Sequence, residues 1–170
     1  MNLRPAVPRD LDALVRLEQQ FPSDRLSRAR FSYLLRHAHA DMLVCENGGE
    51  ITANAVVLYR RGTKIARLYS LVVRPDHQRR GIARALLRDA ETAAIARGCR
   101  DMRLEVRPEN ISAIRLYRKS GYRTTGIIGD FYEDGSEALK MSKRLVAAEE
   151  FSAPFPPPRQ PGPGAPCPTP

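Results

Sequence analysis

The chain has 170 residues, 42% of them hydrophobic, so it can bury one sizeable core but hardly two. No apolar run approaches the roughly 20 residues that span a bilayer, and charges and prolines interrupt the first residues too early for a signal peptide. The 3 cysteines are widely spaced and form no Cys-x-x-Cys pair, which argues against a disulfide framework or a zinc site. We therefore expect a single cytoplasmic domain with no membrane partner and no metal.

The formal charge of +9 arises from 28 basic residues against 19 acidic ones. A polyanionic partner would explain this surplus, and so would genome-driven arginine usage that only aids solubility. Because the basic residues are spread along the chain and form no single run, we do not expect nucleic acid to be the partner.

The first part of the chain predicts a strand, two helices and a hairpin. The stretch MNLRPA reads as a short strand. A helix is predicted to open at Pro8, because apolar residues then recur about every 3.6 positions, at Leu11, Leu14, Val15 and Leu17. A second helix is predicted over Ser27–His37. Two apolar runs then flank Asn47-Gly48-Gly49, a composition typical of a tight hairpin turn.

The remaining elements alternate between strands and helices. The stretch IARLYSLVV predicts a strand, and a helix follows from Gly81 to about Arg97, with Gly98 suited to a left-handed C-cap. The stretch DMRLEVR alternates apolar and charged residues as a half-buried strand does. A short helix over Asn110–Ser120 and two closing strands, near YRTTGII and EALKMSKRL, complete an α/β (α+β) sandwich around a mixed sheet.

The composition changes near residue 146. Of the last 20 residues, 9 are proline, which excludes regular helix and sheet there. We expect a folded domain over 1–147 and a disordered proline-rich tail over 148–170.

The turn QRRG, directly before the helix at Gly81, has the composition of an anion site. A strand, a turn and a helix start would direct unpaired backbone amides and the positive end of the helix dipole at one point, a geometry that binds phosphate. Small residues at Gly81 and Ala83 would let a pyrophosphate approach, and Arg79 and Arg80 would add attraction. The alternative is a plain crossover with an arginine-rich helix start. Neither a Walker loop nor a dinucleotide-binding fingerprint is present.

Two blocks of this chain, LYSLVVRPDHQRRGIARALL and RGCRDMRLEVRPENISAIRLYRKSGYR, together resemble the GNAT superfamily of N-acetyltransferases. LYSLVVRPDHQRRGIARALL contains the superfamily's Gln/Arg-x-x-Gly-x-Gly/Ala signature as Gln78-Arg79-Arg80-Gly81-Ile82-Ala83. RGCRDMRLEVRPENISAIRLYRKSGYR resembles the Leu-Glu-Val-Arg, Asn and Leu-Tyr series of the ribosomal-protein-alanine branch, whose members acetylate protein N-termini. The resemblance implies the GNAT acyl-CoA N-acyltransferase fold, with about seven strands flanked by about four helices.

The resemblance also implies acetyl-CoA as cosubstrate and a place for it. In that fold the strands LYSLVV and DMRLEV run parallel and splay apart, and the pantetheine arm pairs with the backbone of Leu71, Val72 and Val73. The signature turn, Gln78 to Ala83, would hold the pyrophosphate, and Asn110 would contact the pantetheine. A bulge in the first strand would expose an amide, around Val72 or Val73, to the thioester carbonyl.

Acetyl transfer to an amine needs a group that removes a proton and a group that supplies one. Glu105 lies on the polar face of its strand and would be the base, as the resemblance implies; the alternative is a surface ion pair with Arg103 or Arg107. Tyr117 shares a helix face with Asn110 and would protonate the departing sulfur while contacting the cofactor. The alternative for Tyr117 is a core aromatic residue.

The acceptor amine is the least determined part of the prediction. The branch resemblance favours a protein or peptide N-terminal α-amino group, and Phe131 and Tyr132 stand where relatives place aromatic residues near the substrate. The stretch FPSDRLSRARF departs from the branch because it contains no tryptophan. A small amine such as an antibiotic or polyamine, or a non-catalytic acyl-CoA-binding module, therefore remains an alternative, and the oligomeric state is open between monomer and homodimer.

Overall fold

A computed structural model of the protein describes residues 1–21 and 25–145. Within these ranges the chain forms seven strands and four α-helices, as the sequence predicted. The predicted proline-rich tail, 148–170, lies outside the described residues, as do the last residues of the predicted domain. None of the helices in the described part is both long enough and apolar enough to cross a bilayer.

The helices begin and end close to the predicted positions, with two local differences. Their bounds are α1 Leu11–Glu18, α2 Arg28–Leu34, α3 Ile82–Ala96 and α4 Ile111–Lys119. The helix expected to open at Pro8 starts as a single 3₁₀ turn, Pro8–Asp10, and continues as α1. The helix α2 starts after Ser27, whose Oγ accepts a hydrogen bond from Arg30 N at 3.1 Å. It ends before His37 because the amides of Arg36 and His37 donate to carbonyls three residues earlier, as in a 3₁₀ turn.

The seven strands form one mixed sheet. Their bounds are β1 Asn2–Pro5, β2 Ala40–Asn47, β3 Glu50–Tyr59, β4 Ile65–Val73, β5 Asp101–Val106, β6 Arg123–Ile128 and β7 Ala138–Arg144. The spatial order is β1-β2-β3-β4-β5-β7-β6, and only the central pair β4–β5 is parallel. The β2–β3 hairpin turns at Gly48 and Gly49, whose φ angles of 60° and 83° are the left-handed values that this two-residue turn requires.

Helices cover the two faces of the sheet and divide the core into two layers. On one face α3 and α4 bury residues against β3, β4 and β5, including Leu86, Leu87, Met102 and Leu104. On the other face α1 and α2 pack on β2 and β3 through Leu14, Phe31, Val44 and Val56. Each layer uses the apolar stripe that the helical periodicity predicted.

The parallel pair β4–β5 separates halfway along its length. Its register runs from Ile65 opposite Asp101 to Leu68 opposite Leu104 and continues no further. Beyond that point β4 stays paired with β3 up to Val73, and β5 stays paired with β7 up to Val106. The predicted splaying of these two strands is therefore present, and it leaves one backbone edge of each strand open.

The irregularity in β4 lies lower in the strand than expected. The register with β3 shifts between Ser70 and Leu68, so Tyr69 is the extra residue of a β-bulge. A bulge in β4 was expected to expose an amide around Val72 or Val73, but these two residues lie beyond the bulge and pair regularly with Asn54 and Ala53.

Candidate active site

A cleft of about 950 Å³ opens where β4 and β5 separate. Residues from six parts of the chain line it: the end of α1, the segment before α2, β4 from Arg67 to Val72, the end of β5, α4 and the β6–β7 loop. All four residues predicted to act in catalysis or acceptor binding line this cleft: Glu105, Tyr117, Phe131 and Tyr132. So do three of the residues predicted to bind the cofactor: Leu71, Val72 and Asn110.

Glu105 reaches the cleft from the end of β5, one residue beyond the last residue of β5 that pairs with β4. Its Oε2 accepts a hydrogen bond from Arg67 Nε at 2.8 Å, and its side chain is 13% exposed. The ion pair considered with Arg103 or Arg107 is thus not the one that forms, because the parallel register brings Arg67 of β4 beside Glu105. The second carboxylate oxygen, Oε1, accepts no hydrogen bond from the described residues, which leaves it available to an amine or a water.

Tyr117 enters the cleft from α4. Its ring is 7% exposed and contacts the ring of Tyr122 edge-on, with 5.7 Å between centroids. Burial raises the pKa of the Tyr117 phenol well above its usual range, so the hydroxyl retains its proton at neutral pH. Tyr117 is both a core aromatic residue and a residue of the cleft wall, so the two interpretations of the sequence are not exclusive.

Asn110 lies at the start of α4 and caps it. Its side chain accepts a hydrogen bond from Ala113 N at 3.1 Å, which engages Oδ1. The amide group of the side chain is therefore the part that can donate to a ligand. Asn110 stands one position before the helix, whereas Ile114 and Tyr117 share its buried face.

The predicted phosphate turn connects β4 to α3. Arg79 and Gly81 have φ angles of 60° and 80°, and such left-handed conformations direct successive amides to one side as an anion-binding concavity. From Arg79 to Arg84 no backbone amide donates to an acceptor in the described ranges. Gly81 has open space where a Cβ would be, so its positive φ, and not crowding, is what favours glycine there.

The remaining predicted residues of this turn differ in what they offer. Gln78 Nε2 donates to Val73 O at 3.1 Å, so this side chain fastens the turn to the end of β4. Ile82 and Val73 are buried in the core and present only backbone to a ligand. Arg80 is exposed and Ala83 is half-buried.

A second, basic groove of about 540 Å³ continues from Gly81 along α3. Four cationic side chains line it, Arg84, Arg88, Lys119 and Lys143, against a single carboxylate, Glu91. Glu91 is bound to Lys143 Nζ at 2.6 Å, so the net charge of this groove is positive.

Phe131 and Tyr132 form the aromatic part of the cleft. Their rings meet edge-on with 5.0 Å between centroids, and Arg107 lies 3.9 Å above the Tyr132 ring. Asp134 in the same loop accepts from Ser136 and, more weakly, from Arg107, and these contacts lower its pKa to about 2. The β6–β7 loop is therefore held in place beside the end of β5.

Sequence reasoning missed several residues of the cleft, among them Arg67, Tyr69 and Glu18. Arg67 and Tyr69 alternate with the buried Ala66 and Leu68, so the alternation of β4 contained a signal for a polar face toward Glu105. Glu18 follows Leu14 by one helical turn on the buried face of α1, and its side chain is nearly inaccessible. A carboxylate at an apolar position of the periodicity was the signal for Glu18.

Comparison with known proteins identifies the family. The Acetyltransferase (GNAT) family matches residues 11–122, which include α4, the turn before α3 and all of the cleft except the β6–β7 loop. The chain belongs to the GNAT family. GNAT enzymes transfer an acetyl group from acetyl-CoA, so the chain is an acetyl-CoA-dependent N-acetyltransferase.

Relatives and solved structures support the GNAT assignment. An acetyltransferase of Pectobacterium atrosepticum is 34% identical over 119 residues, which are 69% of this chain and 74% of that protein. The ribosomal-protein-S18-alanine N-acetyltransferase of Escherichia coli superposes with a TM-score of 0.76 at 27% identity, covering 91% of this chain and 99% of that one. Nourseothricin acetyltransferase superposes with a TM-score of 0.71 at 23% identity over 85% of this chain and 98% of that one, which supports the fold alone.

Proposed function

We propose that this GNAT enzyme acetylates the α-amino group of a protein or peptide N-terminus, with Glu105 and Tyr117 as its catalytic residues. The observation that carries the proposal is that a carboxylate from β5 and a protonated phenol from α4 line one cleft whose floor is the unpaired backbone of β4. A proton acceptor and a proton donor in a single cleft are what aminolysis of a thioester requires.

The cofactor would lie across the separated strands. The pantetheine arm pairs with the open backbone edge of Leu71 to Val73, and the amide group of Asn110 contacts it from the start of α4. The pyrophosphate occupies the turn, where the unpaired amides between Arg79 and Ala83 supply donors and Arg79 and Arg80 supply charge. Gln78 supports this site by holding the turn against Val73 O.

Three groups would act on the thioester. The neutral amine attacks the carbonyl carbon, and a backbone amide near Val72 or Val73 stabilises the oxyanion that forms. Glu105 Oε1 takes the ammonium proton, directly or through a water. As the C–N bond replaces the C–S bond, the Tyr117 hydroxyl gives its proton to the thiolate, and burial supports this role because it keeps the phenol protonated.

An N-terminal amine suits a carboxylate base. Its pKa of about 7.7 to 8.0 leaves roughly a tenth of it neutral at pH 7, whereas lysine, with a pKa of about 10.4, is almost wholly charged. Support for this acceptor also comes from the similarity, over most of both chains, to an enzyme that acts on the alanine terminus of a ribosomal protein. Phe131 and Tyr132 would pack against the first residues of the acceptor.

The experiment that tests the proposal measures thiol release from acetyl-CoA with a panel of acceptors. The panel contains peptides with free N-termini, the same peptides with blocked N-termini and a free lysine, and polyamines. We expect kcat/KM for free N-termini to exceed the other two groups by about a hundredfold or more, because at pH 7 roughly a tenth of an α-amine is neutral against less than about a thousandth of a lysine amine.

The blocked peptides are the matched control, because they differ from the substrates only in the reacting amine. A higher kcat/KM for polyamines or for blocked, lysine-containing peptides would contradict the N-terminal proposal while leaving the acetyltransferase assignment intact.

A further inference from the structure

We infer that Arg67 determines acceptor specificity: it selects acceptors that carry a carboxylate close to the reacting amine, such as peptides with an acidic first or second residue. The inference rests on the proposed function, because it names the acceptor class of the same cleft.

The position of Arg67 is fixed by three neighbours. Its Nε donates to Glu105 Oε2 at 2.8 Å, and its guanidinium carbon lies 5.3 Å from the Tyr69 ring centroid and 6.0 Å from that of Phe131. A salt bridge with two aromatic contacts orients the guanidinium plane at the wall of the cleft. Arg67 is thus held in place before any acceptor arrives.

The outer edge of this guanidinium is available to a ligand. An arginine has five N–H donors, and only the Nε donor of Arg67 is used within the described ranges; both Nη groups lack an acceptor there. The side chain is 40% exposed and lines the cleft. Two Nη groups on a planar fork match the two oxygens of a carboxylate, or the carbonyl oxygen of a first peptide residue.

The charge pattern favours an acceptor with both signs of charge. The ammonium of the acceptor would bind Glu105 Oε1, and its carboxylate would bind the Nη groups of Arg67. Each charge of the acceptor would then lie next to an opposite charge of the Arg67–Glu105 pair. A polyamine would place its second ammonium against the Arg67 guanidinium, where like charges repel. The arrangement of the Arg67–Glu105 pair therefore favours acidic peptides over polyamines. The mere presence of acidic and basic residues in the cleft would not distinguish these two acceptors.

The other cations that line the cleft, Arg107 and Arg25, contact groups other than Glu105. Asp134 already accepts from Arg107, and Arg25 Nε donates to the carbonyl of Phe21. Glu18 is buried, and burial raises its pKa. Glu133 is exposed at the rim. Arg67 is the cation that contacts the proposed base directly.

The test uses the full chain and three peptides that differ only at their first two residues, which are acidic (Asp, Glu), the matched amides (Asn, Gln) or lysine. We expect kcat/KM for the acidic peptide to exceed that for the amide peptide by about tenfold or more, the low end of what a hydrogen bond between charged groups contributes. Arg67→Gln should reduce this ratio to about 1, and Arg67→Glu should shift the preference toward lysine.

Arg61→Gln is the matched control, since it removes the same charge from an exposed position in the β3–β4 loop and should leave the ratio unchanged. An acidic-to-amide ratio near 1 in the parent would overturn the inference without any variant having to fold. Equal loss of turnover with all peptides in Arg67→Gln, at an unchanged ratio, would also overturn it and assign Arg67 only to holding Glu105. Turnover of polyamines but of no peptide would instead refute the proposed function.

Discussion

The lower and upper halves of the central strand pair differ in what they leave unpaired. In the lower half, Ile65 to Leu68 pair with Asp101 to Leu104, and the side chains between the helices are almost fully buried: Ala66, Leu68, Met102 and Leu104. In the upper half neither strand pairs with the other, and the edges line the cleft. The same two strands therefore build the core at one end and expose backbone donors and acceptors at the other.

The cause of this difference lies in the outer neighbours of the two strands. The strand β4 remains hydrogen-bonded to β3 up to Val73, and β5 remains hydrogen-bonded to β7 up to Val106. Each strand follows its antiparallel partner, and the bulge at Tyr69 adds twist at the point of separation. An opening within a sheet, supported on both sides, can stay rigid in a way that a loop cannot.

Removing the Tyr117 hydroxyl tests the upper half and should have the largest effect. If this phenol protonates the thiolate, Tyr117→Phe should lower kcat by roughly 10²- to 10⁴-fold, the usual scale for a lost general acid. Acetyl-CoA should bind as tightly as before, because the ring remains. The rate is measured by thiol release and the affinity by calorimetric titration.

Tyr122→Phe is the matched control for that prediction. Tyr122 packs against Tyr117 and is likewise buried, but it does not line the cleft. Its loss should leave kcat unchanged. Weaker acetyl-CoA binding by Tyr117→Phe, or an equal loss of turnover in both variants, would assign Tyr117 to packing alone.

A cavity in the lower half should affect stability and spare turnover. Met102 is fully buried, pairs with Ala66 in register and does not line the cleft. Met102→Ala should lower the free energy of unfolding by about 2–5 kcal/mol, the cost of truncating a large side chain in a packed core. Denaturant titration measures this loss, and kcat per folded molecule should stay at the parent value. A collapse of kcat in a stable variant would show that the two halves are not separable.

Elements and motifs were predictable from the sequence, and contacts between strands were not. Periodicity and turn residues depend on neighbours in the chain, so seven strands, four helices and the turn that joins β4 to α3 were predicted correctly. The partner of Glu105 lies 38 residues away on β4, and which arginine it meets depends on register. The position of the bulge depends likewise on pairing with β3. The alternative for Glu105, an ion pair with Arg103 or Arg107, considered only neighbours two residues away.

Replacement of Glu18, which lies where the cleft meets the α1 layer, should have the smallest effect of the changes considered. Its Oε2 accepts from Leu26 N at 3.3 Å, whereas Oε1 is buried without a hydrogen-bonding partner among the described residues. Burial raises the pKa of this carboxyl above its unfolded value. Its contribution to stability is therefore complete below the unfolded pKa and is lost as the pH rises through the folded pKa.

Glu18→Gln keeps the shape and removes the ionisation. The melting temperature of the variant minus that of the parent should therefore increase from pH 4 to pH 7, by a few degrees at most, since each kcal/mol corresponds to about 2–4 °C in a domain of this size. Thermal scans at matched ionic strength measure the difference, with Glu133→Gln at the exposed rim as the control. A difference that falls as the pH rises would mean that the Glu18 carboxylate is stabilised when charged, and the cleft would then have to supply Oε1 with a donor.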